Sequence, residues 1–341
     1  MHEPAFWYRP SSWMSLLLSP LAAVYGAVAG RRLQRNGFDA GIPVFCVGNY
    51  HVGGAGKTPT VLALVKLLRD LGETPVVLSR GYGGQLRGPV MADPVRHLAT
   101  DVGDEPLMLA RTVPVAVASE RIDGLALAKS QGASVIVMDD GFQNPAIAKD
   151  ASLIVIDSHR GLGNACVFPA GPLRAPLPPQ IDRTDALIVI GEGHAADAVA
   201  ATVATQDKPV LTAQLRADDA TVSSLRGRRV LAFAGIGDPD RFFRTLRAHG
   251  VEVVSARAFA DHHPFTQSEI EPLAAEANRN ALTVVTTEKD FVRLGVGGTL
   301  APWAQGIVPF PVKLEFDSAV KLRRFVADRL FRARDGKFRK N

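Results

Sequence analysis

Short apolar runs rich in Val and Ile, each followed by a glycine, a polar turn or a helical stretch, recur along most of this chain. "GIPVFCVGN" (41–49) reads as a buried strand and Thr58 to Leu71 as a helix. "TPVVLSRGYGG", "PVAVAS", "ASVIVMDDG", "ASLIVIDS" and "DALIVIG" repeat the strand form. Continuous apolar runs of this length, spaced by helices, predict a parallel sheet buried on both faces. Several end in Gly, Asp, Ser or Arg, and sites in such folds collect at the carboxyl ends of strands. A second block begins near Arg228, where "RRVLAFAGIGDPDRFFRTLRAHG" reads strand, turn, helix; "VEVVSARAF" and "LTVVTTEKD" add two strands. Two stretches that alternate apolar and polar residues, "VLTAQLR" (210–216) and "FPVKLEF" (310–316), flank this block and predict a two-stranded connector.

The predicted fold class is therefore α/β: a phosphate-loop NTPase-like parallel-sheet domain over 37–209 and a smaller α/β domain over 221–307. A hinge at 210–220 and 308–316 joins them, and a basic helix or tail follows at 317–341. Residues 1–36 form a separate N-terminal segment. From Pro10 to Gly30 no residue is charged, and Arg31, Arg32 and Arg35 follow. A cleaved leader would carry its positive charges ahead of the apolar stretch. The reverse order, with Trp13 and Tyr25 suited to a membrane interface, predicts a helix lying in the cytoplasmic leaflet with arginines on lipid phosphates. Packing on the protein's own core and a true span are the alternatives.

The totals narrow the chemistry only a little. Of 341 residues, 47% are hydrophobic and 21% charged, with a net charge of +5. That balance suits an anionic ligand or surface. Two cysteines, Cys46 and Cys166, are too few for a disulfide framework or a zinc site. Basic residues are scattered and aromatics make up 7%, so nucleic acid is not an expected partner, and no obligate protein partner is inferred.

The sharpest local signal is "VGNYHVGGAGKTP" (47–59), between the first strand and the first helix of the sheet. Gly53, Gly54, Ala55, Gly56, Lys57, Thr58 and Pro59 have the form of a phosphate-binding loop. Glycines let backbone N–H groups turn inward at a helix N-terminus, Lys57 reaches the β- and γ-phosphates, and Thr58 binds Mg²⁺. The usual pattern has a further glycine six residues before the lysine, where this chain has His51. Asp139 and Asp140 stand at a strand end, where an acidic partner for the metal belongs. Spacing leaves open which of them holds the ion. The loop and the acidic pair thus predict an ATP- or GTP-dependent phosphoryl-transfer or switching protein that uses Mg²⁺, and leave the acceptor unnamed. Read alone, Asp104 is a helix N-cap, His262 and His263 a polar-loop pair, "GIGDP" a tight turn near the cleft, and "SRGYGG" a strand-ending turn with Arg80 and Tyr82 facing the site.

Eight motifs occur in a fixed order: the loop above, "SRGYGG" (79–84), "VGDEP" (102–106), "MDDGFQ" (138–143), "PAGPLR" (169–174), "AFAGIGDP" (232–239), "ADHHPF" (260–265) and "TTEKD" (286–290). In this the chain resembles the tetraacyldisaccharide 4′-kinase family of lipid A biosynthesis, over about residues 10–320. The resemblance implies a membrane-associated enzyme at the cytoplasmic face of the bacterial inner membrane, peripheral or monotopic. It would transfer the γ-phosphate of ATP, with Mg²⁺, to the 4′-hydroxyl of a tetraacylated glucosamine disaccharide 1-phosphate, giving lipid IVA. Its partners would be that acylated substrate and the anionic membrane surface. The resemblance matches Lys57 and Thr58 to the phosphate loop and Asp139 with Asp140 to the metal site. It matches Asp104 to the catalytic base, and His262 or His263 to its partner. It matches Arg121 and Arg174 to arginines at the active site; Arg80, Tyr82 and Gln143 are further candidate contacts to phosphate or substrate. Ala175 stands where the family often has Glu, and Phe142 and Asn144 replace Leu and His. The rival reading is a membrane-associated switch ATPase with no small-molecule acceptor. Such a protein hydrolyses ATP unaided and has no use for an Asp–His pair.

Overall fold

A computed structural model of the chain describes residues 4–9, 12–296 and 299–338. Its strands are β1 (Val44–Gly48), β2 (Pro75–Ser79), β3 (Val90–Met91), β4 (Val115–Val117), β5 (Val135–Asp139), β6 (Ala151–Asp157), β7 (Ala186–Ile190) and β8 (Val210–Ala217). They continue with β9 (Arg229–Ala234), β10 (Glu252–Ala258), β11 (Thr283–Thr287), β12 (Gly295–Val296), β13 (Thr299–Leu300), β14 (Val308–Phe310) and β15 (Val312–Phe316). The main sheet runs β15-β8-β7-β6-β1-β5-β2-β4-β3. Its inner strands pair in parallel, while β3 and β15 are antiparallel edges.

Every residue of β1, β2, β5, β6 and β7 is buried. Successive side chains leave a strand on opposite faces. Phe45 and Val47 therefore enter one core with Val137 and Leu153, while Val44 and Cys46 enter the other with Ile136 and Ile154. This double burial is why the strands read as unbroken apolar runs. β1 lies between β5 and β6, and the chain turns to opposite sides of β1 to build the two halves of the sheet. The crevice of such a sheet opens at the carboxyl ends of the strands around that point. All the chemistry predicted for the loop and the acidic pair falls there.

The second sheet, β10-β9-β11-β14, is wholly parallel. Here the predicted boundary is corrected. The stretch 308–316 is two strands: β14 completes the second sheet beside β11, and β15 pairs with β8. β8 is also hydrogen-bonded to β7, so the β8–β15 pair is the edge of the main sheet and not a free ribbon.

The N-terminal helix, Trp13–Leu33, buries Ser15, Ala22, Gly26 and Leu33. Trp13, Leu16, Leu17, Leu21, Val24 and Val28 remain exposed, Leu16 at 73%. It rests on the segment 164–176: Asn164 Nδ2 donates to Ser15 Oγ (3.0 Å), and Gly26 faces Val167 and Pro176. That same segment holds the glycine loop from its other side. Val52 N donates to Pro172 O (2.8 Å) and Arg174 N to Tyr50 O (2.9 Å). The C-terminal helix, Ala319–Phe338, packs Leu322, Phe325, Val326 and Leu330 on the main core.

Candidate active site

The glycine loop follows β1 and ends in the helix Lys57–Asp70. Gly56 caps that helix in the left-handed region, φ 89°, with no side chain satisfying the first N–H groups. A Cβ at Gly56 would lie 2.6 Å from Ile190 Cδ1 and would have to push that methyl aside, while the positive φ itself favours glycine. Gly53 also has positive φ, 101°. Around the loop, Asn49 Nδ2 donates to Gly53 O (3.0 Å) and Lys57 Nζ to the same oxygen (3.4 Å). Lys57 is thereby folded back over the loop and buried. A helix N-terminus with unpaired N–H groups, a lysine and an open backbone at Gly54 is a site built for an anion.

Asp139 and Asp140 take opposite environments. Asp140 turns out of the strand with φ 47° and is gripped by Arg174, with Nη1 donating to Oδ1 (2.8 Å) and Nη2 to Oδ2 (3.1 Å). Lys57 Nζ lies 3.8 Å away. Burial raises the Asp140 pKa, but the charges of Lys57 and Arg174 outweigh it and bring it to about 2. Asp139 is buried and its Oδ1 has no hydrogen-bond partner. Burial first, then the charges of Glu105 and Asp140, pushes its pKa up to about 7. One carboxylate is paired directly with two protein cations; the other keeps one oxygen without a hydrogen-bond partner. Arg121, buried behind them, donates to Leu78 O (2.8 Å) and Asp139 O (3.2 Å) and ties β2 to β5.

The second sheet meets this crevice through charged groups. Asp104 opens the helix Asp104–Ala110 and is buried. His262 Nδ1 lies 3.0 Å from Asp104 Oδ2, and Arg293 approaches the same oxygen through Nε (2.9 Å) and Nη2. Lys289 Nζ donates to Glu105 Oε1 (2.6 Å). Burial alone would raise the Asp104 pKa; the hydrogen bond from His262 and the charges of Arg293 and Lys289 hold it well below the usual carboxylate range. Farther along the cleft, Arg241 pairs with buried Asp157 at the end of β6. A cavity of about 340 Å³ opens there, lined by Asp157, His159, Gly191, Glu192, Gln214 and Arg241 among others.

Residues 14–330 match the family model for tetraacyldisaccharide-1-P 4′-kinase. The chain is 66% identical over 338 residues to the tetraacyldisaccharide 4′-kinase of Bradyrhizobium diazoefficiens, covering 99% of each chain. It is 65% identical over 334 residues to that of Nitrobacter hamburgensis, covering 98% of this chain and 100% of the other. The chain belongs to the tetraacyldisaccharide 4′-kinase family. Its fold also matches the crystal structure of LpxK from Aquifex aeolicus in complex with ATP, with a TM-score of 0.71 and 24% identity over 93% of this chain and 99% of that one.

The other positions singled out in the sequence take the following places in the structure. His263 turns away from Asp104: its Nε2 is 2.8 Å from Glu269 Oε1, and its ring packs on Phe259 and Phe265. The positive φ of His262, 58°, separates the two neighbouring rings. Gln143 donates from its amide to Asn49 O (2.8 Å) and Gln180 Oε1 (3.0 Å). Arg80 is exposed at the rim. Tyr82, 73% exposed, lays its ring edge-on to His262 with centroids 5.8 Å apart. Ala175, standing where the 4′-kinases often carry Glu, is buried and presents only its carbonyl to Gln180. Phe142 fills core space against Tyr50. Sequence reasoning missed Arg293, Lys289 and Glu105. The available signal was the i, i+4 spacing of Lys289 and Arg293 on the helix Glu288–Arg293, capped by Thr287 from "TTEKD".

Proposed function

We propose that this chain transfers the γ-phosphate of ATP to the 4′-hydroxyl of a tetraacylated glucosamine disaccharide 1-phosphate. It would do so at the cytoplasmic face of a bacterial inner membrane, completing the lipid IVA step of lipid A biosynthesis. One observation carries the reading: the Asp104 carboxylate and the His262 imidazole meet at the start of the helix Asp104–Ala110, which packs against the helix that follows the phosphate loop. A loop and a metal carboxylate suffice for hydrolysis. A sugar hydroxyl also needs a group to take its proton as the oxygen attacks.

The residues divide the work by position. The backbone at Gly53–Gly56 and Lys57 would hold the β- and γ-phosphates, and the cavity beside Asp157 and Arg241 has the size and polar lining for adenosine. Mg²⁺ fits the residues present: Asp139 Oδ1 is buried without a partner, and Thr58 lies in the first turn of the adjoining helix. Those two would hold the ion, while Asp140 orients Arg174 and Lys57. Bound with ATP, Mg²⁺ withdraws charge from the phosphate oxygens. The acceptor's acyl chains keep it in the bilayer, since each buried CH₂ is worth about 0.8 kcal/mol. The exposed apolar face of Trp13–Leu33, followed by Arg31, Arg32 and Arg35, would bring the enzyme to it.

ATP consumption by the purified protein, with and without tetraacyldisaccharide 1-phosphate in detergent, separates kinase from switch ATPase. Turnover that rises at least tenfold with acceptor supports the reading. Equal turnover without acceptor would support the switch.

A further inference from the structure

The helix Ala319–Phe338 has two apolar lines along it, and the core accounts for one. Leu322, Phe325, Val326, Leu330 and Ala333 turn inward. Phe331 and Phe338 stand two turns apart on the opposite side, and Val320 falls on the same line. The two phenylalanines are 72% and 83% exposed, and Val320 is exposed with them. A helix that only covers a core presents polar residues on its outer ridge. This one presents aromatic rings there.

Cations border that ridge. Lys321 and Arg332 lie along one side, Arg323 and Arg334 along the other, and Arg324 within it, all of them exposed. Arg332 pairs with Asp328 (3.0 Å) and Arg334 with Glu73 (2.7 Å). Lys321, Arg323 and Arg324 enter no ion pair among the described residues. Residues 321–341 carry nine Lys or Arg against two Asp, so the face stays positive after its own pairs are formed.

The ridge also adjoins the N-terminal helix. Lys337 Nζ, in the last turn, binds Asp39 Oδ1 (2.9 Å) and Asp150 Oδ2 (3.2 Å). Asp39 lies in the segment that leaves the helix Trp13–Leu33, after exposed Arg31, Arg32 and Arg35 and next to exposed Phe38. The carboxyl ends of the two helices are thus tied together, and each brings exposed arginines and an exposed phenylalanine to the junction.

We propose that the outer face of Ala319–Phe338 is a second bilayer contact, and that its occupant is the anionic headgroup layer of phospholipid. Phe331 and Phe338 enter the boundary between headgroups and acyl chains, and Lys321, Arg323 and Arg324 meet lipid phosphates. The proposal rests on the reading of Trp13–Leu33 as a membrane helix and adds a contact with a different task. Charge chooses the occupant. A second copy packed symmetrically on this face would set the same cations against one another, whereas an anionic bilayer offers the opposite sign. The N-terminal helix, uncharged over its apolar length, supplies affinity for any bilayer; the C-terminal helix supplies the preference for anionic lipid. Two tied contacts also limit how the chain can pivot on the surface.

The test co-sediments the full chain with vesicles of phosphatidylcholine alone, and of phosphatidylcholine and phosphatidylglycerol in equal amounts. Melting temperature and turnover in neutral detergent serve as folding controls. Each cation at an anionic surface is worth roughly fivefold in binding. Lys321→Gln with Arg323→Gln and Arg324→Gln is therefore expected to weaken binding to the anionic vesicles about a hundredfold and to leave the neutral ones unchanged. Phe331→Ser with Phe338→Ser is expected to weaken binding to both kinds at least tenfold. Leu17→Gln with Leu21→Gln is the comparison: it should weaken both kinds while keeping the preference for anionic lipid. Anionic-vesicle binding by the triple variant within twofold of the wild type overturns the proposal. So does a phenylalanine variant that binds both kinds normally but sediments as a smaller species, which would assign the face to a second copy. If only the leucine variant loses binding, the N-terminal reading stands and this one falls; if the wild type binds neither kind, both fall.

Discussion

His51 shows how one side chain can change the pH response of a phosphate loop. It occupies a position where the loop pattern has glycine, is 2% exposed, and donates from Nδ1 to Val52 O (2.8 Å), which leaves Nε2 without a partner. Burial pushes its pKa down from 6.5 to about 4. A neutral imidazole in the fold and a protonatable one in the unfolded chain give stability that is complete above about pH 6.5. That stability is lost as pH falls toward 4. His51→Gln is predicted to remove on the order of 2 kcal/mol of that acid sensitivity, read as melting temperature against pH. Asp139 works in the other direction. Its raised pKa means that its contribution is present below about pH 3.8 and lost as pH rises through about 7. Asp139→Asn is therefore predicted to stabilise the metal-free protein at pH 8 by about 1–3 kcal/mol and little at pH 4, while abolishing turnover. A variant no more stable at pH 8 than at pH 4, relative to the wild type, would contradict the assignment of Asp139 as the uncompensated carboxylate.

Among the elements, the segment 164–174 links the N-terminal helix to the chemistry. On one side it carries Ser15 through Asn164 and Trp7 through Pro169 O; on the other, Arg174 reaches Asp140. Leu17→Glu with Leu21→Glu removes two of the exposed apolar side chains. Each is worth about 1.5–3 kcal/mol when buried, so the double variant is predicted to bind anionic vesicles at least a hundredfold more weakly. Unchanged co-sedimentation with vesicles would remove the membrane role from this helix. Its existence and exposure were legible, because 21 residues without charge leave few other solutions. The central strands were legible for the same kind of reason: burial on both faces demands unbroken Val and Ile. The split of 308–316 was not. Apolar alternation runs straight through Pro311, and only pairing partners far along the chain assign β14 and β15 to different sheets. The glycine loop and the two aspartates are local patterns, so the sequence displays them. Arg293 meets Asp104 from 189 residues away, and His262 differs from His263 only by a backbone angle. Neither fact has a local signature.

At the scale of the whole molecule, the ion pairs Asp104–Arg293, Glu105–Lys289 and Asp157–Arg241 bridge the two sheets. They line the crevice that would hold ATP, so bridging and nucleotide affinity are coupled. Arg241→Ala leaves Asp157, with its side chain 3% exposed, facing the cavity unpaired. The loss is predicted at about 1–2 kcal/mol of stability, less than for a fully buried pair because Arg241 keeps solvent contact. KM for ATP should rise several-fold in the same variant, with KM for the lipid acceptor unchanged. An ATP KM equal to that of the wild type would place the nucleotide elsewhere.

The central claim is that the loop's phosphoryl group is delivered to a sugar hydroxyl at the meeting point of the two sheets. Its most direct measurement is to incubate the protein with ATP labelled at the γ-phosphate and tetraacyldisaccharide 1-phosphate in micelles, then locate the label on the isolated lipid by phosphorus NMR and mass spectrometry. A second phosphate at the 4′-oxygen, absent with Lys57→Ala, is the predicted result. Label found only as inorganic phosphate, with the lipid unmodified, would contradict it.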